Sequence, residues 1–180
     1  MSNKDDYNIL FGAGELFIVP DEIDLEEATE EEIEGALVLV GESSGEAALI
    51  IENEFENVRG GKGHQILGTF RTEENISFNA GIITFQMENI SKFLAGKYSE
   101  TETEKIWKLG GDYTVPVNRL RFVHTKQVDG KRIILDMHKA MNQAGLEMNF
   151  NATEASAFNL EFVLHKAKNR DNIVTIIEEI

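Results

Sequence analysis

Glu46-Ala47-Ala48-Leu49-Ile50-Ile51-Glu52-Asn53-Glu54-Phe55-Glu56-Asn57-Val58 is the stretch that decides how this chain folds. Ala47, Leu49, Ile51 and Phe55 fall on one side, and Glu52, Glu54 and Glu56 alternate on the other. A period of two is that of an extended strand with one face toward a core. Gly60, Gly61 and Gly63 follow and read as a flexible tip. The chain then returns through residues 66–71 and 73–85, where Ile76, Phe78, Ala80 and Ile82 share a face opposite Glu73, Asn75, Ser77 and Asn79. Two long strands therefore pair an apolar side with a Glu/Asn/Ser side that carries no cation.

Upstream, residues 8–19 read as a first strand, with Gly12 and Gly14 marking a bulge or a close backbone approach. Residues 20–35 hold nine acids and few aliphatic anchors, and read as a solvated loop or acidic arm. Thr29 and Glu32 have the spacing of a capping box for a short helix there. Residues 36–40 form a short apolar strand and residues 41–45 a turn. Downstream, Met87, Ile90, Phe93 and Leu94 lie on one helical stripe, so residues 86–96 are expected to form the one helix, stopped by Gly96. After a polar stretch at 97–104, strands are expected at 117–125, 131–137, 158–165 and 173–177. Asp129-Gly130 makes the hairpin turn between the first two of these. There is no internal repeat and no linker. The expectation is a single domain over residues 1–180, a mainly β sandwich or barrel with one flanking α-helix and long loops.

Charge is unevenly spread. From Asp5 to Val58 there are 17 acids and no lysine or arginine, whereas Arg59 to Ile180 has 16 basic against 15 acidic side chains and Lys4 is the only other cation. The net charge of −15 lies almost wholly in the first third. Such a surface disfavours gripping nucleic acid, which needs Lys and Arg to displace counterions, and disfavours anionic membranes for the same reason. No apolar run is long enough to span a bilayer, and residues 1–6 are too polar to begin a secretory signal. Cysteine is absent, which removes disulfides, thiolate metal sites and cysteine nucleophiles and fits a cytosolic origin.

Signals for chemistry are weak. Gly41-Glu42-Ser43-Ser44-Gly45 fits G-x-S-x-G, but a strand pattern follows Ser43 where a nucleophile elbow needs a helix. His64, His124, His138 and His165 have no metal-ligand spacing and read as ordinary surface histidines. The acids at 21–32 lack the ordered spacing of an EF-hand loop. Gly60-Gly61-Lys62-Gly63 lacks the Ser/Thr and helix of a phosphate loop. The glycosylation acceptors at Asn75, Asn89 and Asn151 mean little without a secretory signal. Trp107 with Tyr98 and Tyr113 has the composition of a sugar-stacking platform, with core or interface packing as the default. No catalytic, cofactor or metal site is expected, and the chain does not read as an enzyme.

Taken in order, Ala13-Gly14-Glu15-Leu16-Phe17, the turn into Gly45-Glu46-Ala47, the acidic run from Glu52 to Val58 ending at Gly60-Gly61, the strand from Thr69 to Phe78 and a helix after the sheet resemble the major tail tube proteins of long-tailed bacteriophages and prophages. The resemblance extends from about residue 8 to the C-terminus and rests on order and texture. It implies a structural virion protein of the tail, assembled in the host bacterial cytoplasm. Six copies would close a ring, and rings would stack into a tube that conducts genome DNA during ejection without binding it specifically. Other implied partners are tape measure and tail terminator or initiator proteins, with no membrane anchor and no cofactor. Carried onto this sequence, Glu52, Glu54, Glu56, Glu73, Asn75, Ser77 and Asn79 would line the lumen. The ring-stacking loops would contain Glu26, Glu30, Arg59, Gly60, Gly61 and Lys62, and deleting residues 22–34 would weaken stacking while leaving the subunit folded. Alternatives are the inner tube of a contractile tail, tailocin or type VI-like secretion particle, and a monomeric β-sandwich binding module.

Overall fold

The computed structural model describes residues 13–148 and 158–180. Gly12, the start of the first expected strand and the acceptor at Asn151 lie outside the described residues. The fold is mainly β and antiparallel throughout. Its strands are β1 (Gly14–Val19), β2 (Val38–Leu39), β3 (Ser43–Gly60), β4 (Gln65–Ile82), β5 (Gly96–Glu100), β6 (Lys105–Leu109), β7 (Val117–Thr125), β8 (Arg132–Asn142), β9 (Phe158–Leu164) and β10 (Val174–Glu178). Two short helices accompany them, α1 (Glu30–Ala36) and α2 (Met87–Ile90).

One sheet runs β2-β1-β7-β8-β9-β4-β3, and β10 also pairs with β8. A single edge of β8 serves two partners: Ile133 to Met137 face β10, while Ala140 to Asn142 face β9. The short β8–β9 seam lets the sheet turn over on itself, so β9-β4-β3 lie across from β1-β7-β8. Phe78 of β4 and Phe122 of β7 meet across that gap, ring centroids 5.2 Å apart and tilted by 55°. Around them Leu16, Leu120, Met137, Leu160 and Phe162 form one buried cluster. Burying each such side chain contributes roughly 1.5–3 kcal/mol, so this seam of apolar faces holds the two layers together.

The strands of the opening stretch and its return are present and pair as expected, Leu49 opposite Phe78 and Ile51 opposite Ile76. The two return segments are one strand, β4. It carries register shifts opposite Glu54/Phe55 and Val58/Arg59, which leave Thr72 and Leu67 as the extra residues. Asp129-Gly130 does turn β7 into β8, with Gly130 at φ 72°.

Several expectations fail for local reasons. The helix at 86–96 is a single turn, α2; Ile90 and Phe93 are buried, yet residues 91–95 continue as turns. Gly96 is there because a Cβ would lie 2.6 Å from the Trp107 Nε1, a close approach between strands and not a helix stop. The polar stretch at 97–104 belongs to a separate two-stranded hairpin, β5–β6. Ser43 to Gly45 are not a free turn but the start of β3, irregular in register up to Ala47. His124 and His138 are buried, not surface groups.

The acidic stretch at 20–35 is the largest correction. Thr29 and Glu32 form the capping box, the Thr29 N–H donating to the Glu32 carboxylate at 2.9 Å and the Glu32 N–H to Thr29 Oγ1 at 3.3 Å. The helix they start, α1, buries Ile33. Arginines from distant strands and loops hold the segment: Arg121 binds Glu30 at 2.6 Å, Arg132 binds Glu34, and Arg170 binds Asp24 at 3.2 Å and Glu26. The segment is thus part of the folded body, and removing residues 22–34 would take the buried Ile33 out of the fold and leave the buried Arg121 without Glu30.

Candidate functional site

Beyond Ile51 and Ile76 the β3–β4 hairpin leaves the sandwich and projects as a two-stranded ribbon, exposed on both strands down to its turn at 61–64. Cross-strand partners share a face, and the register pairs Ala48 with Asn79, Ile50 with Ser77, Glu52 with Asn75 and Glu54 with Glu73. Glu56 follows, opposite Phe70. All seven residues expected to line a lumen therefore lie on one face. Glu54 and Glu73 are directly opposed like charges, an arrangement that costs stability and that folding alone does not require. Among the described residues none of Glu52, Glu54, Glu56 and Glu73 has a cationic partner. Residues two apart on a strand are separated by about 7 Å, within a Debye length of about 8 Å at physiological salt. These carboxylates consequently act on an approaching anion as one negative surface.

The face also extends where sequence reasoning did not place it. β9 pairs with β4 so that Glu161 lies opposite Asn79 and Asn159 opposite Gly81. The alternation of β9 is visible in the sequence, but its pairing with β4 depends on the fold. A hollow of about 480 Å³ opens here, lined by Glu46, Ala48, Asn79, Asn159 and Glu161 among others. The Asn79 Oδ1 is buried in it without a hydrogen-bond partner among the described residues.

The opposite face of the ribbon is different in character. Arg71 donates to Glu74 at 2.5 Å and to Asn53 at 3.3 Å, and Thr69 Oγ1 donates to Asn57 at 2.7 Å. Ile51 and Phe55 stand beside these groups, 53% and 62% exposed. At the distal end Arg59 donates to the His64 carbonyl at 3.3 Å, and Gly61 adopts φ 77° in the turn, a conformation that favours glycine.

The residues expected in ring-stacking loops fall into two separate places. Arg59, Gly60, Gly61 and Lys62 form the ribbon tip. Glu26 and Glu30 sit on the body, where they are tied to Arg170 and Arg121. Beneath Glu30 lies a site that sequence reasoning missed. Arg121, 1% exposed, grips Asp136 through Nε at 2.7 Å and Nη2 at 2.9 Å. Burial pulls the Arg121 pKa down, but the hydrogen bonds it donates to Asp136 and the charges of Asp136 and Glu30 outweigh it and raise it. Nearby, burial lowers the pKa of His138, assisted by Arg170 and Arg119. Its Nε2 contacts Thr175 Oγ1 at 3.0 Å. Arg121, Asp136 and Glu30 make a structural clamp for α1, while the His138 Nδ1 beside them is buried with no hydrogen-bond partner among the described residues.

Other candidate chemistry disperses. Ser43 Oγ accepts from the Gly45 N–H at 3.0 Å, with strand and not helix after it. Tyr98 and Trp107 are cross-strand partners in β5–β6, while Tyr113 lies outside that hairpin, so the three rings make no common platform. Among the described residues no group of three or more His, Asp or Glu is placed to hold a metal ion, and no helix is long and apolar enough to cross a membrane. Compared with known proteins, the chain matches no family model and no curated sequence.

Proposed function

We propose that the chain is a structural subunit of a hollow tail tube, whose copies close into hexameric rings and stack, and whose acidic ribbon faces line a conduit for genome DNA. The observation that carries this reading is an acidic face that has no cationic partner and no cover among the described residues. A two-stranded hairpin is marginal alone in water, and this one also exposes large apolar groups, so it fits a molecule completed by neighbouring copies. The outer edge of β3, unpaired among the described residues as the last strand of the sheet, offers neighbours a ladder within a closed ring. An acidic wall suits a conduit because lysines there would exchange counterions for phosphates and hold the DNA. The structural virion role, the tail location and the partners at either end of a tube follow from this reading.

Electron microscopy of the purified protein over a concentration series tests assembly, with rings or hollow tubes in six-fold end view expected. Monomer at every concentration, with and without a tail initiator complex, would sink the reading. Glu52→Lys combined with Glu54→Lys then tests the lumen. Particles are expected to form but to release DNA more slowly, and a normal release rate would remove the acidic face from the conduit.

A further inference from the structure

The ribbon tip is a cationic and exposed part of an acidic chain. Residues 57–72 contain Arg59, Lys62 and Arg71 and no acid, against a net charge of −15 for the whole. The same tip exposes Val58, Leu67 and Phe70, the last two 69% and 62% exposed. Phe70 pairs with Glu56 and Gly68 with Val58, so Phe70 and Val58 stand on one face. A tip of this kind calls for a partner that is both acidic and partly apolar.

A second copy of this chain supplies such a surface. In the acidic segment Asp24, Glu26, Glu30 and Glu34 are bound inward to Arg170, Arg121 and Arg132. The side chains of Asp21, Glu22, Glu27 and Glu31 have no cationic partner among the described residues and are exposed. The inward ion pairs fix the segment on the body, so the outward carboxylates are presented without an ordering cost at binding. Ile23 and Leu25 lie half-buried among them and give apolar contact area. Nucleic acid and anionic membranes share the negative sign, but both would also have to approach Glu52, Glu54 and Glu73 farther up the same ribbon, which repel them.

We infer that the ribbon tip of one copy docks through Arg59, Lys62 and Phe70 on the acidic segment around Glu27 and Glu31 of the next. This rests on the tube reading and gives it a specific head-to-tail contact. Tip and receptor are different surfaces of one chain, so each copy can donate to one neighbour and accept from another, and the contact propagates.

The absence of cysteine makes the test clean. Lys62→Cys protein and Glu27→Cys protein are prepared separately, mixed and oxidised; a disulfide forms only where Cα atoms come within about 7 Å. The expected result is a cross-linked dimer in the mixture alone, lost when Arg59→Glu is added to the tip variant. The chain carrying both cysteines is expected to give a ladder of covalent oligomers. Rings or tubes in the microscope without any cross-link would overturn this contact and leave the tube reading standing. Cross-linking of the Lys62→Cys protein to itself would overturn it in favour of tip-to-tip pairing. No assembly and no cross-link would overturn both, as would monomers that co-sediment with anionic vesicles or DNA through Arg59 and Lys62.

Discussion

The two halves of the β3–β4 hairpin share strands, alternation and antiparallel pairing, yet one half is core and the other is bare. Near the body, Phe78, Ala80 and Ile82 are sealed against β1, β7 and β9. Past Ile51 and Ile76 the cover ends within one cross-strand pair: Ile76 is 9% exposed and Ile51 is 53%. Period-two alternation thus specifies a strand and the face its apolar groups share. It does not specify that anything within the same chain will cover that face. In the body the β1-β7-β8 layer provides the cover, whereas the ribbon offers its faces to whatever approaches.

The sharpest contrast is expected at the aromatic side chains. Phe78→Ala in the body removes a fully buried ring packed on Phe122 and is expected to cost about 3–5 kcal/mol in urea unfolding. A loss near zero would mean that the layers do not seal. Thr29→Ala lies between the extremes. It removes the cap of α1 and is expected to cost about 1 kcal/mol, read from the unfolding midpoint, because the arginine clamp still holds the helix. No effect there would separate the cap from the stability of the body. Phe70→Ser on the ribbon is expected to change unfolding by about 0.5 kcal/mol or less while abolishing assembly at concentrations where the parent assembles. A large loss of monomer stability would show that the ribbon is covered within its own subunit.

Much of this division was legible in the chain. The alternation from Ala47 to Glu56 and from Glu73 to Ile82 placed both long strands and the acidic face, because side-chain direction along a strand depends only on parity. Thr29 and Glu32 announced the start of α1 through a purely local hydrogen-bond pair. Residues 86–96 misled because apolar groups at helical spacing can also be buried by successive turns, as Ile90 and Phe93 are. Gly96 misled because its reason, Trp107, comes from the neighbouring strand.

The arginine clamp was out of reach for a different reason. Arg121 and Asp136 are register partners across β7 and β8, and α1 closes over them from about 90 residues away in sequence. Sequence shows a stretch from Asp5 to Val58 without lysine or arginine, and only the fold shows Arg119, Arg121, Arg132 and Arg170 arriving to meet it. The uneven charge of the chain is offset in space where these arginines meet Asp24, Glu26, Glu30 and Glu34. What is left unpaired, on the ribbon and along the outer side of the acidic segment, is what a sum over composition could not locate.

The two extra residues on β4, Thr72 and Leu67, carry a last consequence for misassembly. A straight, uncovered edge of 18 residues is a template on which identical strands can pile without limit into cross-β fibrils. Each bulge increases the local twist and interrupts the ladder, so an identical ribbon cannot lie flat along its whole length. Glu52, Glu54 and Glu56 add repulsion between copies stacked in register. The ribbon is left open to a strand that meets it at an angle and closed to one that merely copies it, which works against unlimited stacking of identical ribbons.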